Sequence, residues 1–276
     1  MKEIPYIRLP AVSNMGKTIK PDAQENTRKM KLVLFDIDGT LLDSGGAGSR
    51  ALNAAFRELF SIDKPPSGTG LLEAGLVGTG LPFEGIRMAG KTDTEIVMEG
   101  FRKHGIEADG KMPLFMDAYI RHLKLQVDNP GRRLKPGVKM ALNALGVMEG
   151  VALGLLTGNI EDGARIKLEA FGLNGYFQFG AFGSDSADRN RLLPIALGRF
   201  NQKRNGRRDK NERLAATDCT VVGDTPRDVQ CAKLHGAHAI AVATGGYTAA
   251  ELLKTEADHI LEDLADTGLF LKCLGF

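Results

Sequence analysis

The chain has few cysteines, and none stands in a pair. Cys219, Cys231 and Cys273 are the only three, with no CxxC spacing. Neither a disulfide framework nor a thiolate zinc site is expected, and the thiols read as reduced, as in a cytoplasmic protein. An excess of one charge is also lacking. The formal net charge is +2, so no global basic field points to nucleic acid. No apolar run approaches the roughly 20 residues that span a bilayer, so no membrane partner is expected. The opening Met1-Lys2-Glu3-Ile4-Pro5-Tyr6 has no apolar stretch of the signal-peptide kind, and acids mixed with bases up to residue 30 are unlike a transit peptide. His104, His122, His235, His238 and His259 show no metal-ligand spacing. No Gly-x-Gly-x-x-Gly follows an apolar run, which leaves a dinucleotide cofactor without support.

What is present is an ordinary globular composition, 43% hydrophobic and 25% charged over 276 residues. That length suits one large domain or a core with a smaller companion. The stretch that organises the rest is Lys31-Leu32-Val33-Leu34-Phe35-Asp36-Ile37-Asp38-Gly39-Thr40. Its apolar run is short and unbroken, as in a strand buried on both faces of a parallel sheet. Ligand sites in such sheets open at the carboxyl ends of the strands, where Asp36 and Asp38 fall. Two acids this close repel. They ionise together only beside a cation, or one of them keeps a proton.

Residues 1–30 are polar and weakly patterned, with an edge strand expected at 4–9. Ser44-Gly45-Gly46-Ala47-Gly48 reads as a hinge turn. Helical spacing then appears at 49–60, 93–104 and 112–127, with a Gly- and Pro-rich loop at 65–85. Residues 46–132 therefore read as a helical insert. From residue 136 helices and strands alternate: helix 138–148, strand 151–156, helix 160–171, strand 177–182, helix 192–200, strand 219–222, helix 226–234 and strand 239–242. Repeated βα units imply a doubly wound parallel sheet with right-handed crossovers. Residues 201–213 carry Lys203, Arg204, Arg207, Arg208, Lys210 and Arg213. They read as a solvated loop, with a patch for a polyanion or acidic partner as the alternative. Without aromatic residues to stack bases, the nucleic-acid version has little support.

Four strand ends carry polar groups: Asp36 with Asp38, Thr157, the segment 184–191, and Asp224 with Asp228. In a parallel sheet these ends share one edge. Carboxylates with a backbone carbonyl form a hard oxygen site of the kind Mg²⁺ takes. A hydroxyl from Thr157 and a guanidinium from Arg189 or Arg191 are phosphate-binding groups. Together they describe a site for phosphoryl transfer.

Over residues 31–265 the sequence resembles the haloacid dehalogenase superfamily of phosphohydrolases. Asp36-Ile37-Asp38-Gly39-Thr40 resembles its first motif, Leu156-Thr157-Gly158-Asn159 its second, and Gly223-Asp224-Thr225-Pro226-Arg227-Asp228 its fourth. The resemblance implies an α/β fold: a Rossmann-like doubly wound parallel sheet core at 31–45 and 133–276, an inserted α-helical cap domain at 46–132, and an N-terminal extension at 1–30. It implies that Asp36 attacks phosphorus to form an aspartyl-phosphate. Asp38 protonates the leaving alcohol and then activates water. Mg²⁺ would be held by Asp36, the Asp38 carbonyl, Asp224 and Asp228. Thr157, with the N–H groups of Gly158 and Asn159, would bind the phosphoryl oxygens. One departure stands out. The third motif usually supplies a lysine, and the segment 184–194 has none, so Arg189, or else Arg191, is expected in its place.

Gly90-Lys91-Thr92-Asp93 resembles a cap segment of phosphoglycolate phosphatase-like members, which makes Lys91, Thr92 and Asp93 candidates for substrate contact. Gly85-Ile86-Arg87-Met88-Ala89-Gly90-Lys91-Thr92 also satisfies the spacing of a nucleotide phosphate loop, but no buried strand is expected before it. The function expected is an Mg²⁺-dependent phosphatase acting on a small phosphorylated metabolite, cytoplasmic, as a monomer or homodimer. The alternatives are a phosphomutase with the same site and a phosphate-binding regulatory protein without turnover.

Overall fold

The computed structural model describes residues 30–60, 80–205 and 213–276. The expected edge strand at 4–9, the loop over 65–79 and residues 206–212 of the basic segment lie outside the described residues. Among those described, no helix is long and apolar enough to cross a membrane.

Strand β1 (Lys31–Phe35) is the middle of the molecule, with Leu32, Val33, Leu34 and Phe35 wholly buried. Alternation along the strand sends Val33 and Phe35 into one core layer and Leu32 and Leu34 into the other. Full burial of each such side chain stabilises the fold by about 1.5–3 kcal/mol. β1 pairs in parallel with β4 (Val151–Leu156) on one side and β6 (Cys219–Gly223) on the other. With β5 (Gly180–Ala181), β7 (His238–Val242) and β8 (His259–Leu261), the sheet runs β5-β4-β1-β6-β7-β8, parallel throughout. Helices α4 (Val138–Gly146), α5 (Glu161–Glu169) and α9 (Thr267–Cys273) supply the layer that receives Phe35. Helices α6 (Leu192–Asn205), α7 (Pro226–Leu234) and α8 (Ala249–Leu252) supply the opposite one. Phe35 stands level with Leu155 and Val222. The residues just past β1, β4 and β6 therefore reach one edge together.

The expected strand at 177–182 keeps only Gly180–Ala181. A 3₁₀ turn at Asn174–Tyr176 delivers the chain late, and Asp185 takes it away early by accepting from the Phe182 amide at 2.9 Å. The helix expected at 192–200 continues to Asn205. Asn201 within it bonds both the amide and the carbonyl of Leu214 at 3.0 Å, which fixes the returning chain against the added turn. The expected hinge turn begins inside a strand. β2 (Leu42–Ser44) pairs antiparallel with β3 (Arg132–Leu134), and this ribbon carries the chain out of the sheet core and back.

Between the ribbon strands lie α1 (Ala47–Phe60), α2 (Asp93–Lys103) and α3 (Lys111–Gln126). They share a separate apolar cluster around Phe56, Phe83, Phe101 and Phe115. Phe56 meets Phe83 edge-on at 5.4 Å, an arrangement worth about 0.5–1.5 kcal/mol beyond area burial.

Candidate active site

The loop after β1 starts with the Asp36 amide bonded to the Val222 carbonyl at 2.9 Å, which ties it to the neighbouring strand. Asp36, Asp224 and Asp228 are buried, and each offers a carboxylate oxygen within 4.8 Å of the others. Asp224 follows β6 and accepts from the Thr40 hydroxyl at 3.0 Å. Asp228 lies in the first turn of α7, where it accepts from the amide and hydroxyl of Thr225 at 2.9 and 2.6 Å. That capping box explains why the helix begins there. Built on the backbone, a Cβ at Gly39 or Gly245 would stand 2.4 or 1.7 Å from the Asp224 carboxylate. The absence of a side chain at both positions lets the backbone pack directly against that carboxylate. Hard oxygens brought together with excess negative charge suit a small divalent cation such as Mg²⁺.

Arg189, in a 3₁₀ turn ahead of α6, is the cation set into this cluster. Its guanidinium reaches Asp36 at 3.3 Å and also pairs with Asp228. Among the described residues its Nε finds no hydrogen-bond partner. Arg191, two residues on, is exposed. One buried guanidinium does not balance three carboxylates. Burial first, then repulsion from Asp228, pushes the Asp36 carboxyl up to about 6, against the pull of Arg189 and a hydrogen bond from Thr157. Burial and repulsion from Asp228 and Asp36 drive Asp224 well above the carboxylate range.

Asp38 has different neighbours. Its Oδ2 accepts from Lys167 Nζ at 2.6 Å and Asn159 Nδ2 at 2.9 Å, and its Oδ1 from the Ser44 hydroxyl at 3.3 Å. Burial raises this carboxyl, but Lys167 and the hydrogen bonds outweigh it and hold the group below its ordinary value. Lys167 also donates to Asn159 Oδ1 at 2.5 Å, and Asn159 Nδ2 donates to the Thr157 hydroxyl at 2.9 Å. Asp93, at the start of α2, accepts from the Ile160 amide at 3.0 Å and from the Tyr119 hydroxyl. Burial raises its carboxyl to about 6, against the attraction of Lys167.

Lys167 is the site residue that sequence reasoning missed. The available signal was a lysine on the apolar stripe of α5, where Gly163, Ala164 and Leu168 are its buried companions.

These groups border a cleft of about 460 Å³, with Gly158, Asn159, Lys91 and Asp93 on its wall beside Asp36 and Asp38. Lys91 is paired with Glu99. Thr92 faces elsewhere. It is fully buried, caps α2 by accepting from the Glu95 amide at 3.1 Å, and donates to the Ala187 carbonyl at 2.9 Å. The nucleotide-loop spacing at 85–92 has no strand before it, since residues 82–85 form a turn.

A family model of haloacid dehalogenase-like hydrolases matches residues 30–236. Phosphoglycolate phosphatase from Pseudomonas fluorescens is 28% identical over 235 residues, covering 85% of this chain and 77% of its own. The enzyme of that name from Rhodospirillum rubrum is 29% identical over 251 residues, covering 87% and 90%. Among solved structures, CbbY from Rhodobacter sphaeroides in complex with phosphate superposes with a TM-score of 0.60 at 19% identity, covering 87% of this chain and 96% of its own. That similarity speaks to the fold.

Proposed function

The chain belongs to the haloacid dehalogenase-like hydrolases, and on that premise we propose that it is a magnesium-dependent phosphatase of small phosphomonoesters, acting through an aspartyl-phosphate. The observation that carries this reading is the convergence of Asp36, Asp224 and Asp228 within 4.8 Å of one another, with Arg189 set against Asp36 at 3.3 Å.

In the first step an Asp36 oxygen bonds to phosphorus as the ester P–O bond breaks. Asp38 gives its proton to the departing alcohol oxygen. In the second step Asp38 takes a proton from a water that attacks the same phosphorus. Inorganic phosphate leaves and Asp36 is restored. Arg189, the Thr157 hydroxyl and the amides of Gly158 and Asn159 orient the phosphoryl oxygens. Asp36, Asp224, Asp228 and the main-chain carbonyl of Asp38 would hold Mg²⁺, which when bound neutralises charge shared by the carboxylates and the phosphoryl group.

Residues 46–132 act as the cap that admits substrate and excludes water, over a core at 31–45 and 133–276. Both phosphatase relatives carry phosphoglycolate in their names, so that ester is the first to test. Phosphate release is measured from phosphoglycolate and from a panel of phosphorylated metabolites, with and without Mg²⁺. Magnesium-dependent release that disappears in Asp36→Asn is expected. No release from any ester, or full activity of Asp36→Asn, overturns the reading.

A further inference from the structure

Lys167 is an expensive residue to place where it is. Its side chain is 5% exposed on a helix face otherwise given to core packing, and an ammonium group loses most of its hydration there. If stability alone were served, an apolar side chain of similar volume would do as well. Its donors go to chosen atoms, Asp38 Oδ2 at 2.6 Å and Asn159 Oδ1 at 2.5 Å. Asn159, oriented in turn by the Thr157 hydroxyl, gives its amide to the same Oδ2 at 2.9 Å. Lys167, Asn159 and Asp38 thus close a ring that fixes one carboxylate oxygen with two donors. Among the described residues the other oxygen, Oδ1, has one long hydrogen bond, from Ser44 at 3.3 Å. The Asp38 side chain is 39% exposed and lies on the wall of the cleft. The ring leaves Oδ1 as the oxygen able to exchange a proton with a reacting group.

We propose that Lys167, through Asn159 and Asp38 Oδ2, is the positioning residue that aims Asp38 Oδ1 at the departing alcohol and at the attacking water. Lys167 touches neither reacting atom. The inference rests on Asp38 being the acid and base of the phosphatase reading above.

The test follows from what a positioned acid does. Nitrophenolate leaves without a proton, whereas an alkoxide needs one. kcat/KM reports the steps through departure of the alcohol. It is measured with Mg²⁺ for 4-nitrophenyl phosphate and for an alkyl phosphate in the wild type, Lys167→Met, Lys167→Arg, Asp38→Asn and the Lys167→Met/Asp38→Asn double variant. Lys167→Met is expected to lose about 100-fold on the alkyl ester but less than about 5-fold on the nitrophenyl ester, with the loss in kcat and not KM. Lys167→Arg recovers most of the alkyl activity. Once Asp38 is Asn, Lys167→Met costs nothing further, as expected when one residue acts through the other.

Equal losses on both esters, or a further loss in the Asp38→Asn background, assign Lys167 to binding or to structure and overturn the proposal. If thermal melting shows that Lys167→Met does not fold, Lys167→Arg decides. A residual deficit confined to the alkyl ester supports the proposal, and equal deficits or none overturn it. A wild type that releases no phosphate defeats the phosphatase reading itself. Wild-type turnover with a uniform Lys167→Met loss defeats only this role.

Discussion

Arg189 sits between Asp36 and Asp228 with about 4% of its side chain exposed. Arg189→Ala would leave those buried carboxylates without their cation, and loss of one partner of a buried pair costs about 3–5 kcal/mol. Urea denaturation of the metal-free protein should show a loss of that size. Arg189→Lys should lose less, because it keeps a cation beside Asp36 and Asp228. A loss for Arg189→Ala no larger than that of an exposed-residue substitution would contradict the placement. The sequence favours Arg189 over Arg191, since the helix is expected to start just after the first of them. The 3₁₀ turn separates them, burying the first and exposing the second. The four aspartates were legible because each stands at the end of an apolar run or opens a helix. Lys167 was not, because its partner Asp38 is 129 residues away, and helix spacing shows only an anomalous charge, not what it meets.

At the scale of elements, the start of α2 is fastened to loops of the sheet core. The Asp93 amide donates to the Gly158 carbonyl at 2.7 Å, the Thr92 hydroxyl to Ala187 at 2.9 Å, and the Thr94 hydroxyl to Gly183 at 2.7 Å. A Cβ on Gly158 would stand 2.2 Å from the Lys91 carbonyl, a contact that backbone cannot relieve without moving. Gly158→Ala should therefore push α2 away from the core, and because the same Cβ would stand 3.1 Å from Arg189 Nη1 it should also nudge that guanidinium, while Asp36 stays in place. A misplacement of about 1 Å costs on the order of 10²-fold in rate, and a loss of that order in kcat/KM is expected. Hydrogen exchange at the Asp93 amide should accelerate, while exchange in β1 stays unchanged. If both amides accelerate together, the contact holds up the whole fold and not the docking of α2. Strands β1, β4, β6 and β7 could be read from their apolar runs. The β2–β3 ribbon could not, because each strand spans only three residues, with partial exposure in both, and period-2 patterning has no room to show.

Across the whole molecule, the chain leaves the sheet core four residues after Asp38 and returns at β3, so the helices and the acid cluster share one opening. Charge balance in that opening couples metal, protons and folding. Burial and Asp228 hold the Asp36 carboxyl near 6 against an ordinary 3.8, and burial holds Asp93 near 6. A raised carboxyl means that the metal-free folded state binds its proton more tightly than the unfolded chain does. The resulting stabilisation is complete below about 3.8 and is lost as pH rises through about 6. A divalent cation held by Asp36, Asp224 and Asp228 must displace such protons, so its binding strengthens over the same interval. At a concentration of 100 times the dissociation constant, a ligand specific for the folded state adds about 2.7 kcal/mol. Thermal melts with and without Mg²⁺ should therefore show a larger Mg²⁺ increment at pH 7.5 than at pH 5, as the metal-free protein weakens on the alkaline side. Asp224→Asn, which removes one carboxylate charge from the cluster, should abolish most of that increment. An increment independent of pH would mean that the cation binds outside the three carboxylates. An increment surviving intact in Asp224→Asn would remove Asp224 from the metal set and leave its burial against Thr40, Gly39 and Gly245 to be explained by packing alone.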